Sequence, residues 1–324
     1  MRPSDVQHFR RLLPMDMPFS YYADRESPWL LGQLMDRNAN VAELRKSAAG
    51  KLLSRPLVKP LVAGCGGALS QRDVLALAHA DKAIDWPDLS KPALQGLEQV
   101  FATVWQDFVL SFAEWGKGRR WYDQTTRNRQ NLVVQLGFAS DHAALMGRYF
   151  GKLQRKDLEF DGHPIRLTGR PTLAWARLDI CRETGHALIE EVQSDWLRFA
   201  RDEVEALQSG RPQVRQLAMA EQYEAGLVRL YGKIWPRVMM LAVLTLLCDQ
   251  LGVQTVWMHQ PEAGVALKNI HGTPPPRSLY TDLPRRFCFA ATRDRPPFLR
   301  SLPKQRTKRL PKSGPLFWRL ELVG

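Results

Sequence analysis

The sequence predicts an α+β fold, with a helical N-terminal half followed by a mixed α/β domain built on a β-hairpin, a long apolar helix and further strands. Three observations predict it. Apolar residues before residue 130 recur at helical spacing, most clearly at Leu94, Leu97, Phe101, Trp105, Phe108 and Phe112. Between Thr172 and Gln193, β-branched, aliphatic and aromatic residues flank a Glu183-Thr184-Gly185 turn signal, as in a hairpin. The run Ile234–Leu251 is apolar enough for a buried helix, carries Pro236 in its first turn, and stops at Gly252 before the strand-like Val253–His259.

Taken in order, weaker helical periods cover Pro28–Met35, Val41–Leu53 and Gln71–His79. Gly64–Gly67 reads as a plain turn, because no strand precedes it and no Lys-Ser/Thr follows it as in a phosphate loop. Ser90-Lys91-Pro92 starts the strongest helix of this half, with Ser as cap and Pro in the first turn. After the loop Gly116–Gln130 come a strand at Asn131–Ala139, a short helix at Ala143–Phe150, and then the hairpin. Trp196–Gln208 and Gln216–Gly232 are charged helical segments. The order hairpin, helices, apolar helix, strand places the last strand parallel to its predecessor. Arg286–Ala291 and Leu316–Leu322 are candidate edge strands. The expected division is a mainly helical region 1–130, an α/β core 131–270 with its hairpin at 172–193, and a basic, Pro-rich extension 271–324.

Composition is that of a folded chain, with 44% apolar and 24% charged residues in 324. The charge is less ordinary: the net value is +13, and from His271 to Gly324 there are 12 Lys and Arg against 3 Asp and Glu. Such a balance favours an anionic partner, namely nucleic acid, a phosphorylated ligand or an acidic membrane surface. Four widely spaced cysteines with no CxxC pair speak against a structural zinc site or a disulfide framework. The first residues lack a signal-peptide core, and the longest apolar run, Val238–Cys248, is too short for a bilayer. A cytoplasmic protein without a transmembrane segment is the expectation.

Chemistry concentrates in the hairpin. Asp179, Glu190, Glu191 and Gln193 lie inside otherwise apolar strands, where an unpartnered carboxylate is costly. Residues two apart share a strand face, so Glu191 and Gln193 point together and Glu190 points away. A three-residue loop at Glu183–Gly185 sets Asp179 opposite Ile189, on the face of Glu191. A two- or four-residue loop sets it with Glu190. His186 opens the second strand and is a candidate proton shuttle. Lone His142 and His163 have no accompanying nucleophile elbow. Two basic stretches suit phosphates and bases: Arg119, Arg120, Trp121, Arg127 and Arg129 in the loop, and Lys304, Arg306, Lys308 and Arg309 near the end.

Asp179, then Glu191-Val192-Gln193, then helix and strand, resembles the core of the PD-(D/E)XK, or restriction-endonuclease-like, nucleases over about residues 173–259. That resemblance implies Asp179 and Glu191 as ligands of Mg²⁺ or Mn²⁺, with Gln193 orienting water for attack on a phosphodiester. Gln193 stands where a Lys is usual, and Leu178 stands where a Pro usually precedes the Asp. Glu190 to Trp196, EEVQSDW, is also similar to the EIQSDW segment of polyvalent proteins of phages and conjugative elements, which implies mobile-element biology and nucleic acid. The same residues have a purely structural reading: Ser194 caps a helix, Trp196 anchors the core, and Glu191 pairs with Arg177. Three functions are thus open: a metal-dependent phosphodiesterase, a non-catalytic module binding nucleic acid or, through the helical half, a protein, and an acyltransferase-like α/β domain. The last is suggested by the helix Ile234–Leu251 running into Val253–His259, although no Gly-rich pyrophosphate loop is present.

Overall fold

Ten strands are found among the described residues of the computed structural model: β1 (Asp16–Tyr21), β2 (Asn38–Asn40), β3 (Ala68–Ser70), β4 (Gln106–Trp115), β5 (Asn131–Phe138), β6 (Thr172–Cys181), β7 (His186–Gln193), β8 (Thr255–His259), β9 (Ala290–Thr292) and β10 (Phe317–Glu321). The structure describes all residues except 87, 117–123, 141, 151–157, 161, 164, 166–169, 211–213, 271–275 and 323–324. Eight strands form one mixed sheet in the order β1-β4-β5-β6-β7-β8-β10-β9, and β2 pairs with β3 apart from it. Neighbours are antiparallel except β7 and β8, which run parallel.

The mixed α/β character agrees with the sequence, but the N-terminal half is not simply helical. It supplies β1 and β4, which extend the sheet begun by β5. The predicted stripe from Leu94 to Phe112 divides into a helix, Lys91–Phe101, and the strand β4. Phe108 and Phe112 are four residues apart, a spacing that fits a helical face and a strand face equally. Leu110, buried between them, marks the strand period. The helix itself starts where Ser90 accepts from the Ala93 N–H. Of the two expected edge strands, β9 lies at the edge, whereas β10 is inserted between β8 and β9.

The long apolar helix is present as Trp235–Thr245, extended through Leu246–Gln250 by a wider π-type turn, and Gly252 ends it at φ +64°. Its residues Val238–Leu244 are all buried and join the main core with Ala176, Leu178, Ile180, Ala187, Ile189 and Val192 from the hairpin. That is one face of the sheet. On the other, Leu188 packs with Trp257, Ala263 and Leu267, and Trp175 with Ala113 and Val133. With both faces covered, all eight residues of β5 are buried. Among the described residues no single helix is long and apolar enough to cross a membrane.

Candidate functional site at the bulged hairpin

The hairpin closes on the pair Cys181 and His186, which leaves four loop residues where the sequence suggests three. Asp179 therefore stands opposite Leu188, not Ile189. By simple alternation this register groups Asp179 with Glu190 and separates it from Glu191. A β-bulge brings Glu191 onto that face as well, while Glu190 stays close to Asp179. Leu178 faces Ile189 but Arg177 faces Glu191, so Glu190 is the extra residue and β7 resumes one position out of phase. Trp175, Arg177 and Asp179 of β6 thereby share a face with Gln193, Glu191 and Leu188 of β7.

The carboxylates brought together are already matched by cations of the chain. Asp179 is fully buried and accepts two bonds from Arg127, Nε to Oδ2 at 2.6 Å and Nη2 to Oδ1 at 2.5 Å. The Met1 amino group donates to Oδ1 at 2.8 Å. Glu191 is bonded by Arg177, which also donates to the Gln124 carbonyl at 3.1 Å. Burial pushes the Glu191 carboxyl up, but Arg177 and Lys268 outweigh it and hold the group below the usual carboxylate range. Positive groups thus occupy the positions from which a divalent ion would draw its negative field, and Asp179 and Glu191 as arranged do not fit Mg²⁺ or Mn²⁺. No group of three or more His, Cys, Asp or Glu residues is placed to hold a metal among the described residues.

Glu190, pushed inward by the bulge, is completely buried and is a different kind of acid. Its oxygens accept from the Thr126 N–H at 3.0 Å and the Thr126 hydroxyl at 2.7 Å. The same hydroxyl lies 2.8 Å from His259 Nε2 at the end of β8. Burial, with Asp179 nearby, raises the Glu190 pKa, and burial holds that of His259 well below 6.5. Lys268, also buried and lowered by desolvation, donates to the Glu190 carbonyl at 2.9 Å.

His259 makes a pH prediction. The folded state keeps it neutral while the unfolded chain protonates it near pH 6.5, so the unfolded state binds more protons below that value. Stability contributed by His259 is therefore complete above pH 6.5 and falls as the pH drops, by up to about 1.4 kcal/mol per pH unit. Thermal melts of His259→Gln from pH 7.5 to 5 are expected to lose that part of the wild-type slope. An unchanged slope would show that another group sets it.

β7 and β8 are paired only from His186 with Thr255 to Ile189 with Met258, and then part. Beyond that point two side chains serve the open edge of β7: Lys268 at the Glu190 carbonyl, and Tyr280, whose hydroxyl accepts from the Val192 N–H at 3.4 Å. Both also line a largely apolar cavity of about 440 Å³ beside the helix Pro261–Lys268, together with Gly264, Ile270, Arg277 and Arg309. A Cβ on Gly264 would sit 3.2 Å from the Cβ of His259, so glycine here lets the helix lie close against the end of β8.

The other expected residues are dispersed. His186 lies at the far end of β7, where its Nδ1 accepts from Trp257 Nε1 at 3.0 Å, away from the carboxylates. Gln193 is on the Asp179 face but at the other end of the ladder, opposite Trp175, and donates to Asp195 at 2.7 Å. Arg119, Arg120 and Trp121 lie outside the described residues. Arg127 is inside the fold, stacked 4.4 Å over Phe298, whereas Arg129 is exposed. Arg306 donates to the Thr126 carbonyl and Arg309 to the Asn269 side chain, while Lys304 and Lys308 are exposed. Ser194 precedes the helix Asp195–Ser209 but does not cap it through its side chain; its hydroxyl donates to the Leu173 carbonyl at 2.6 Å. Sequence reasoning missed Thr126, His259, Lys268 and Tyr280. The only signal for His259 was its place at the carboxyl end of a strand. Lys268 and Tyr280 carried none.

No protein-family model, curated protein or solved structure matches this chain.

Proposed function

We propose that the chain binds an acyl donor where β7 and β8 part and passes its acyl group to a small acceptor. The observation that carries this reading is the open edge of β7. The Glu190 carbonyl and Val192 N–H are the next rungs of the parallel ladder, and two side chains meet them instead of a strand. An extended ligand arm bearing an amide offers the same donor and acceptor, as in strand addition. Parallel strands also hold ligands beyond their carboxyl ends, which is where the cavity lies. Its apolar lining suits the arm, and Arg309, with Arg277 that is paired at 2.9 Å to Glu262 on the same wall, supplies positive charge for an acidic group at the arm's end.

The absence of a Gly-rich loop after β7 fits this division of labour. The helix that follows opens on buried Asp195, whose carboxylate repels an anion at that terminus, so the acidic group falls to the arginines. The phosphodiesterase reading instead requires Asp179 and Glu191 to exchange their guanidinium partners for a metal.

Calorimetric titration with acetyl-coenzyme A tests the proposal. Saturable binding to wild type is expected, weakened at least about tenfold, or 1.4 kcal/mol, by the double variant Arg277→Ala/Arg309→Ala, which removes both cations of the cavity. Absence of binding to wild type, or Mg²⁺-dependent cutting of DNA or RNA that Glu191→Ala abolishes, would overturn it.

A further inference from the structure

Resting on the acyl-transfer reading, we propose that His163 and Asp195 form its acid–base dyad, with His163 Nε2 as the general base. Asp195, from the EEVQSDW segment, is 3% exposed, and both its oxygens are saturated with donors. Oδ2 accepts from Trp175 Nε1 at 2.9 Å and from His163 Nδ1 at 2.8 Å. Oδ1 accepts from Gln193 Nε2 and Arg198 Nη2, each at 2.7 Å. A carboxylate in this setting has no proton to give, so the proton in the His163 contact belongs to Nδ1. That fixes the tautomer and leaves an Nε2 lone pair with no partner among the described residues.

The ring is placed to use it. His163 keeps 24% of its side chain exposed while Asp195 is sealed beneath it. Phe160 and Trp175 meet it edge-on at 4.8 and 5.3 Å and limit its rotation. Gln193 Nε2 lies 3.4 Å from His163 Nδ1 but gives its shorter bond, 2.7 Å, to Asp195 Oδ1, and Gln193 is one residue beyond the Val192 N–H that marks the open edge of β7.

The step balances simply. The acceptor's amine or hydroxyl attacks the acyl carbon, the new C–N or C–O bond forms, and the bond to the leaving group breaks. The acceptor's proton passes to Nε2 and then to the departing group, so the dyad ends as it began.

Three measurements test this. Long-range ¹H–¹⁵N spectra of the histidine rings are expected to show His163 with Nδ1 protonated and Nε2 bare, and Asp195→Asn to relax that preference. With acetyl-coenzyme A and water or a small amine as acceptor, His163→Gln is expected to keep wild-type affinity yet release thiol about 100-fold more slowly. Hydrolysis of p-nitrophenyl acetate, which needs no binding cavity, is expected to fall in the same variant. Wild-type turnover by His163→Gln, or a proton found on Nε2, would overturn the dyad while leaving the ligand reading intact. If acetyl-coenzyme A does not bind the wild type, the ligand reading falls, and the ring spectra with the ester assay still decide for or against the dyad.

Discussion

Arg177→Leu is expected to lower the free energy of unfolding by about 3–5 kcal/mol, because it strands a charge inside the protein. Arg177 and Glu191 are opposite each other across the bulged ladder, with side chains 2% and 11% exposed. Removing the guanidinium leaves Glu191 with Lys268 as its remaining cationic neighbour, and Lys268 is itself buried and bonded to the Glu190 carbonyl. It also removes the donor to the Gln124 carbonyl that ties the 124–130 segment to the sheet. The double variant Arg177→Leu/Glu191→Leu removes both charges together and is expected to recover most of the loss, since a buried pair is often no better than two apolar residues. Urea unfolding of the two singles and the double gives the coupling directly. Additive losses would mean that the two groups do not depend on each other.

Trp196→Ala is expected to cost a similar amount, about 3–5 kcal/mol, by a different route. Trp196 is fully buried, edge-on to Phe138 at 5.3 Å, and its Nε1 donates to the Tyr223 hydroxyl at 2.9 Å. Truncation opens a large cavity between the helix Asp195–Ser209 and the sheet and removes the indole donor from that hydroxyl. Trp196→Phe keeps most of the volume and is expected to lose much less. The urea midpoint should fall for Ala with little change in slope. An equal loss for Phe and Ala would place the energy in the hydrogen bond instead of the packing.

Local chemistry made much of this fold legible. The cap at Ser90, the stop at Gly252, the hairpin turn and the apolar helix are each written in a few adjacent residues. Trp196 as a core anchor and Glu191 paired with Arg177 follow from burial cost alone. Illegible were features set by pairing at a distance. The four-residue spacing of Phe108 and Phe112 fits two periods, so β4 was hidden until β1 and β5 gave it neighbours. The bulge at Glu190 has no glycine or turn residue to mark it, and it alone decides that Asp179 and Glu191 share a face. The residues that hold Glu190 and the open edge of β7, namely Thr126, His259, Lys268 and Tyr280, come from four separate stretches of chain, and no spacing rule links them.

The position of β10 has a consequence for how this protein is made. It follows every other described strand in sequence, yet it fills an interior place between β8 and β9. Until residues Phe317–Glu321 leave the ribosome, β8 presents a bare row of amides and carbonyls to any neighbouring chain. A chain cut short before that point keeps the exposed border permanently, and a matching border on a second copy is its nearest substitute.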